Sequence, residues 1–288
     1  MPSLIDIRRR IRSVRNTEQI TKAMKMVSAA KLRRAQDRVI SARPYAASLR
    51  KLLQDVAGAV VAGAEDTPKH PLLARPAAEQ RIQLVLLTGD RGLAGAFNSN
   101  LIKASQSFLA ERETLQVELL LLGRKGRDFW RRRTVPITEE YPGIFNKVLY
   151  EDAGQIASRL AERFSNDEID AVYLLYNEFR SVIAQNLTLL KILPVEIPER
   201  ENPIDYIYEQ PPEELLNALL PRYVHIAVYQ AMLESSAAEH AARMTAMDAA
   251  SSNAAEVIEN LTLYMNRVRQ ASITREIIEI VSGAAALE

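Results

Sequence analysis

The sequence predicts an α/β protein in which two long terminal helices pair as an antiparallel coiled coil, with an open, Rossmann-like α/β domain between them in the chain. Residues 222–282 contain neither proline nor glycine, the residues that most often end a helix. A second long helical pattern opens the chain, and between the two patterns short apolar runs alternate with amphipathic ones. We therefore assign an N-terminal helix to residues 1–61, the α/β domain to 75–205 and the C-terminal helix to 211–288. The first and last segments are expected to form one shaft.

The C-terminal helix is predicted to begin just after Pro221 and to be on the order of 90 Å long. One compact domain cannot cover such a helix, so it needs another long helix or a partner chain. Apolar residues recur at alternating spacings of three and four, as in a coiled-coil seam broken only by Arg275: Met247, Ala250, Ala254, Val257, Leu261, Tyr264, Val268, Ala271, Arg275 and Ile278. Upstream the stripe shifts to Val224, Val228, Ala231, Ala238 and Ala242. A solvent-exposed helical arm is the alternative.

The N-terminal helix is the only other long one, so we pair the two antiparallel. Its seam starts with Leu4, Ile7, Ile11 and Val14 and is expected to continue in a shifted phase with Ile20, Met24 and Val27. Pro44 should kink the helix or divide it in two.

Composition excludes several kinds of site. There is no cysteine, which rules out disulfides, thiolate metal sites and a cysteine nucleophile. No stretch approaches about eighteen uninterrupted apolar residues, and residues 1–15 lack the apolar block of a signal peptide. We expect a soluble, cytoplasmic protein.

The net charge of +1 hides a basic N-terminal segment. Residues 1–51 hold 14 Lys and Arg against Asp6, Glu18 and Asp37. Three explanations stay open: a solvated helix face, a protein partner with acidic loops, or nucleic acid. No aromatic residue precedes Tyr45, so stacked bases would find no platform in this run.

The middle of the chain has a different period. Residues 62–80 contain Gly63, Pro68, Pro71 and Pro76 and are typical of a linker. The expected strands are 81–88, 116–122 and 171–176, with a longer edge strand or hairpin arm over 182–197, and the expected helices are 98–113, 124–132 and 151–166. Apolar strands alternating with helices predict an open, largely parallel sheet.

The turn from Thr88 to Ala96 follows a strand and precedes a helix, where nucleotide-binding folds hold phosphate. However, the spacing of its glycines matches neither the dinucleotide fingerprint nor the P-loop. We favour a structural turn packed against the shaft, in which Asp90 and Arg91 bond to each other or to a neighbouring helix.

No other pattern in the chain suggests catalysis. His70, His225 and His240 lack metal-ligand spacing, and there is no Gly-x-Ser-x-Gly motif. We predict no catalytic, cofactor-binding or metal site.

The C-terminal end is apolar around most of its circumference. One stripe holds Ile273, Ile277, Ile280 and Ala284, and another holds Ile278, Val281, Ala285 and Leu287. One antiparallel helix covers only one stripe, so we infer a sleeve supplied by other chains. Polar residues just below could hydrogen-bond to it: Arg267, Arg269, Gln270, Thr274, Arg275 and Glu276.

Three motifs resemble the gamma subunit of F-type ATP synthase, in that family's order and across essentially the whole chain. They are ITKAMKMVSAAKL from Ile20, DRGLAG from Asp90, and ARMTAMDAA from Ala242 followed by RQASITREIIEIVSGAAA from Arg269. The resemblance implies a central-stalk rotor without catalytic residues or cofactors of its own. Its coiled coil would turn inside a hexameric ring of alpha and beta subunits, driven by proton flow through a c-ring, and would change nucleotide affinity at each catalytic site in turn.

The resemblance also implies partners and a location. The α/β domain would lie beside the epsilon subunit and on the c-ring, without nucleic acid and without membrane insertion. The cysteine-bearing insert of the chloroplast branch is missing, which implies a bacterial chain, peripheral to the cytoplasmic face of the inner membrane.

Carried over position by position, the resemblance assigns contacts with the alpha and beta ring. Met24 and Lys25 fall where the family's shaft meets the lever region of the beta subunit, and Arg269, Gln270, Thr274 and Glu276 fall at its upper contacts. Ile277 and Ile280 belong to the apolar tip. The alternatives are a nucleotide-binding α/β enzyme with its site at Gly89 to Gly95, and a basic coiled-coil adaptor for nucleic acid.

Overall fold

The structure is a computed structural model and describes residues 3–63, 70–74, 76, 78–197, 206 and 208–285. It divides into two compact units. Met1–Ser28 and Met244–Glu288 form the coiled-coil unit, and Ala29–Arg243 form the sheet unit. Much of the predicted linker at 62–80, and the tip residue Leu287, lie outside the described residues.

The first helix, α1, is Leu4–Gly63. Its buried and half-buried residues follow one unbroken heptad pattern: Leu4, Ile7, Ile11, Val14, Glu18, Thr21, Lys25, Ser28, Leu32, Ala35, Val39, Ala42, Ala46, Leu49, Leu53 and Val56. The predicted shift of phase is therefore wrong. Ile20 is 60% exposed and Val27 57% exposed. The seam here keeps its phase through the polar residues Glu18, Thr21 and Lys25. A search for apolar residues does not detect them.

Pro44 lies inside α1 and does not divide it. A proline removes the hydrogen bond to the carbonyl four residues earlier, here that of Ile40. Pro44 and Ile40 are both exposed, so water can bind the freed carbonyl and the helix continues.

The sheet unit contains five strands and three shorter helices in the order β1 Arg81–Leu87, α2 Phe97–Ala110, β2 Gln116–Leu122, α3 Arg124–Trp130, β3 Ile137–Tyr141, α4 Tyr150–Ser165, β4 Ala171–Phe179 and β5 Gln185–Leu193. The strand order is β3-β2-β1-β4-β5. The pairs among β1 to β4 are parallel, and β5 pairs antiparallel with β4. The predicted open, largely parallel sheet is confirmed, including an edge strand within 182–197.

Sequence analysis missed β3. Its sequence, ITEEY, carries two adjacent glutamates, and no residue of the strand is fully buried. Strands in the middle of the sheet are recognisable in a sequence because most of their residues are buried and therefore apolar. In β1, for example, six of seven residues are buried. An edge strand needs less apolar surface, so its pattern resembles a loop.

The last helix, α5, is Pro212–Ala285, 74 residues long. It begins within one residue of the assigned segment 211–288, but Pro221 lies inside it and does not mark its start. Glu213 and Glu214 in its first turn suit the positive end of the helix dipole. From Ala231 to Glu239 every residue is buried, because small side chains let neighbouring elements approach on all sides.

In the coiled-coil unit, α1 and α5 run antiparallel. Thr21 contacts Ser251, and Lys25 contacts Asp248, so residue numbers rise along one helix as they fall along the other. The seam of α5 comprises Met247, Ser251, Ala254, Ile258, Leu261, Met265, Val268 and Ser272, all buried or half-buried.

The predicted seam of α5 is right at every second position. Its other members lie one residue off, and Val257 and Tyr264 are 42% and 39% exposed. Each of these two residues has a neighbour in the true seam, Ile258 or Met265, that is equally apolar, so hydrophobicity alone does not distinguish them. Arg275 and Ile278, at the end of the predicted seam, are also exposed.

Candidate functional site

The carboxylate of Asp90 links the turn after β1 to two other segments of the sheet unit. Asp90 Oδ1 accepts hydrogen bonds from the backbone N–H groups of Arg124 at 2.9 Å and Gly143 at 2.7 Å, and Oδ2 accepts from that of Phe145 at 3.3 Å. Asp90 thus joins the start of α3 to the loop before α4. Of the two predicted partners for Asp90, the structure has a neighbouring helix, through Arg124 at the start of α3, and not Arg91.

Side chains of α5 fill the space beside this turn. Arg243 donates to Glu239 Oε1 at 2.5 Å and to the backbone carbonyls of Gly92 and Arg91 at 3.2 and 3.3 Å. Glu239 is 5% exposed, and burial raises its pKa. A Cβ atom on Gly89 would lie 2.7 Å from the Glu239 carboxyl carbon.

The position of Glu239 argues against the alternative of a nucleotide-binding site at this turn. In open α/β sheets, ligands bind at the carboxyl ends of strands where the strand order reverses, here between β1 and β4. Glu239 brings an acidic side chain to this place, next to the backbone that would have to cradle phosphate. The geometry therefore disfavours a phosphate site at Gly89 to Gly95.

The histidines serve packing in the sheet unit. Burial, with Arg243, Lys31 and Arg91 nearby, lowers the pKa of His240 to about 4. His225 Nε2 lies 3.0 Å from the hydroxyl of Ser158, and burial lowers its pKa. Among the described residues no carboxylate completes this pair into a catalytic triad, and no group of three or more acidic or histidine side chains there could hold a metal ion.

A surface cavity of about 760 Å³ lies between the end of α2, the start of β2 and the loop after α3. Leu109, Val117 and Trp130 are among its lining residues, with Arg112 and Arg133 beside them. Both arginines stack on phenylalanine rings, Arg112 at 4.0 Å and Arg133 at 3.4 Å from the ring centroids. Its lining carboxylates are Glu113 and Glu118, and Glu118 is paired with Arg163 at 2.9 Å.

The residues assigned to partner contacts lie in two places on the coiled-coil unit. Met24 and Lys25 are half-buried in α1, and the Lys25 ammonium pairs with Asp248 at 2.6 Å. The other six lie near the end of α5 and are all exposed: Arg269, Gln270, Thr274, Glu276, Ile277 and Ile280. About 30 Å of helix separates Asp248 from Arg269 at 1.5 Å per residue.

Helical spacing arranges the group near the end of α5 on two faces. Gln270, Thr274 and Ile277 follow one another at steps of four and three, which places them on one face. Arg269, Glu276 and Ile280 share a second face, at steps of seven and four. The two faces together form a surface of mixed polar and apolar character.

The tip of α5 exposes large aliphatic side chains. The exposed fractions are 48% for Ile273, 56% for Ile277, 59% for Ile278, 72% for Ile280 and 61% for Val281. Extending the Thr21–Ser251 pairing by seam steps places Leu4 opposite Val268, so α5 continues past the start of α1. Among the described residues of this unit, no helix therefore lies opposite the tip.

A second apolar surface was missed by sequence analysis, which had assigned its members to the seam. Ile20 and Val27 of α1, and Val257 and Tyr264 of α5, lie outside the seam and are exposed. Heptad positions beside the seam were the available signal, because apolar residues recur there at the same period.

Comparison with known proteins places the chain in a family. A family model described as ATP synthase matches residues 3–287. The ATP synthase gamma chain of Solibacter usitatus is 65% identical over 288 residues, with both chains covered completely. No helix among the described residues is long and apolar enough to cross a bilayer.

Solved structures agree with this placement. A chain from the central stalk and c-ring of the Tetrahymena thermophila mitochondrial ATP synthase is 27% identical with a TM-score of 0.62, over 81% of this chain and 99% of that one. A chain of the Euglena gracilis mitochondrial ATP synthase shares the fold alone, at 18% identity and a TM-score of 0.67, over 99% of this chain and 94% of that one. The chain belongs to the gamma subunit family of the F-type ATP synthases.

Proposed function

We propose that this chain is the central-stalk rotor subunit of an F-type ATP synthase, coupling rotation of a c-ring to conformational change in a ring of alpha and beta subunits. The observation that carries the proposal is the apolar tip of α5, which extends past α1 with five large aliphatic side chains exposed. A surface of this kind marks a contact with other chains. Membership of the family supports alpha and beta subunits as these chains.

Within this proposal the exposed residues contact different parts of the ring. Met24 and Lys25 meet the beta subunit, and Arg269, Gln270, Thr274 and Glu276 donate or accept hydrogen bonds higher on the shaft. Ile277 and Ile280 pack into an apolar sleeve. The exposed surface around Ile20 and Val257 adds an apolar side to the shaft, so each catalytic site meets a different face as the rotor turns.

The sheet unit would contact the epsilon subunit and the c-ring, which places the chain at the cytoplasmic face of a bacterial inner membrane as a peripheral subunit. The proposal includes no catalytic residue of the chain's own. It is supported by the turn at Asp90, where the side chains present satisfy backbone groups and one another.

Reconstitution with alpha and beta subunits of a related enzyme tests the proposal. The chain alone should hydrolyse no ATP, whereas adding it to the ring should raise ATP hydrolysis and produce rotation of an attached probe. Ile277→Ser with Ile280→Ser should weaken assembly while leaving thermal unfolding of the isolated chain unchanged, because both side chains are already exposed.

Ile183→Ser provides the matched control. Ile183 is 89% exposed in the turn between β4 and β5, so its replacement removes an exposed isoleucine away from the tip. Assembly that is equally impaired by both changes would contradict a specific role of the tip. No binding of the reference chain to the ring would contradict the proposed function itself.

A further inference from the structure

A buried carboxyl group lies where three elements of the sheet unit meet. Glu234 of α5 is 2% exposed. Its Oε1 accepts from Gln230 Nε2 at 3.2 Å and from Nε and Nη2 of Arg43 on α1, both at 3.4 Å. Its Oε2 has no hydrogen-bond partner in the described part of the chain.

The hydrogen bonds to Glu234 are too long and too few to stabilise an ionised carboxylate in a buried place. A buried carboxylate is normally held by several charge-assisted hydrogen bonds of about 2.7–2.9 Å. The contacts of Glu234 are all longer, and all fall on one oxygen. The short hydrogen bond of Arg43, 2.7 Å from Nη2, goes instead to the backbone carbonyl of Phe179 at the end of β4.

The surrounding charges do not compensate for the weak hydrogen bonds of Glu234. Burial raises the pKa of Glu234 and nearby Glu178 of β4 raises it further, against the partial effects of Gln230 and Arg43. Glu178 is itself paired with Arg180 at 3.1 Å. The charged and titratable groups that act on Glu234 or on its neighbour Tyr176 of β4 are Arg43 and Arg50 from α1, Glu178 from β4 and Arg180 just beyond it.

We propose that Glu234 carries a proton in the native chain and acts as a proton-dependent switch for Arg43. While the acid is neutral, Arg43 holds the end of β4 through the carbonyl of Phe179. When the proton leaves to solvent, a negative charge remains in a buried place and attracts the guanidinium away from that carbonyl. The tie between α1 and β4 then loosens. This inference concerns the chain's own fold and stands independently of the rotor function.

Infrared difference spectroscopy on the full chain tests the protonation directly. Ordinary carboxyl groups ionise near pH 4, so the carbonyl band of a protonated acid at neutral pH reports an unusual group. The spectrum of the reference chain minus that of Glu234→Gln should contain this band, and raising the pH should abolish it. Glu178→Gln, a neighbouring and more exposed change, should leave the band in place. No band at neutral pH in the reference chain overturns the proposal, whether or not any variant folds.

Hydrogen exchange tests the consequence for Arg43. The amides of Arg180 and Ser181 bond to the carbonyl of Ala184 in the turn just after Phe179. After correction for the intrinsic effect of pH, their protection should be lost as pH rises in the reference chain but not in Glu234→Gln. Equal loss in both chains overturns the switch.

Unfolding midpoints provide the thermodynamic counterpart. A carboxyl group whose pKa is raised by folding contributes stability that is fully present below its ordinary pKa and is lost as pH rises through the folded value. The midpoint of the reference chain should therefore shift downward relative to Glu234→Gln as pH rises. A constant difference at every pH overturns the proposal.

Discussion

The hydroxyl oxygen of Ser251 lies 2.7 Å from that of Thr21, and both side chains are buried in the seam between α1 and α5. Thr21 in turn donates to the backbone carbonyl of Glu18 at 3.0 Å. A short chain of hydrogen bonds thus crosses between the helices at a position where coiled coils usually place aliphatic side chains.

Removing either hydroxyl alone should cost little, and removing both should cost less than the sum. Each remaining hydroxyl keeps an acceptor on its own helix, the carbonyl of Glu18 for Thr21 or that of Met247 at 2.8 Å for Ser251. We expect Thr21→Val and Ser251→Ala each to lose about 1 kcal/mol, with a coupling of about 0.5–1 kcal/mol in the double variant. Urea unfolding followed by helical circular dichroism measures these values.

Thr17→Val is the control for that cycle, because the exposed Thr17 hydroxyl bonds only to Ser13 of its own helix. Its effect should stay within about 0.5 kcal/mol. Additive losses at Thr21 and Ser251 would show that the two hydroxyls do not interact.

Gly123→Ala should be severely destabilising. Gly123 has a φ of +95°, and a Cβ atom there would lie 2.0 Å from the carbonyl oxygen of Thr88. Left-handed backbone strain and the clash together should cost roughly 3 kcal/mol or more, measured by urea unfolding. Gly92→Ala is the matched control, since its nearest neighbour would be 3.8 Å away. Similar losses at both glycines would refute the geometric explanation.

Asp90→Ala should destabilise the sheet unit by about 2 kcal/mol, because it leaves the backbone N–H groups of Arg124, Gly143 and Phe145 without their acceptor. Asp90→Asn keeps one oxygen and should lose less. The midpoint of thermal unfolding should fall in the order reference chain, Asp90→Asn, Asp90→Ala. Asp128→Ala, a change at an exposed aspartate, is the control. An unchanged midpoint for Asp90→Ala would mean that water replaces the carboxylate.

His240 should make the sheet unit sensitive to acid. Its pKa is lowered to about 4 by burial and by nearby cations, so its contribution is present above the ordinary value of about 6.5 and is lost as pH falls through about 4. His240→Gln should flatten this part of the stability profile. The measurement is the unfolding midpoint between pH 7 and pH 4, and an identical acid limb in both chains would contradict the assignment.

The sequence predicted the elements of this fold better than their contacts. Long runs of helical spacing, such as residues 222–282 without glycine or proline, and strands that are largely apolar are properties of single segments, so the coiled coil and the parallel sheet were predictable. The phase of the seam depends on polar members such as Thr21 and Ser251, which hydrogen-bond across the helices and cannot be recognised by hydrophobicity. The same limit applies to β3, because hydrophobicity does not recognise its glutamates, which are half-buried and paired with Arg159 and Arg131.

The candidate contact surfaces also divide into features that the sequence predicts and contacts that it does not. The exposure of the tip could be anticipated, because residues such as Ile277 and Ile278 cannot both face one partner helix. The contacts of Asp90 and Arg243 could not, since they are made with backbone groups far away in sequence, and backbone groups carry no signature of residue type. Prolines also gave wrong predictions: Pro44 and Pro221 both lie within continuous helices, although proline disfavours the interior of a helix.

The exposed end of α5 has a consequence for the supply of this chain in a cell. Five solvent-exposed aliphatic side chains favour self-association of a newly synthesised copy and its binding by chaperones until partner chains bury them. Copies made in excess of their binding partners would be lost to aggregation or proteolysis. Balanced production should therefore matter as much for the yield of this chain as its own folding stability.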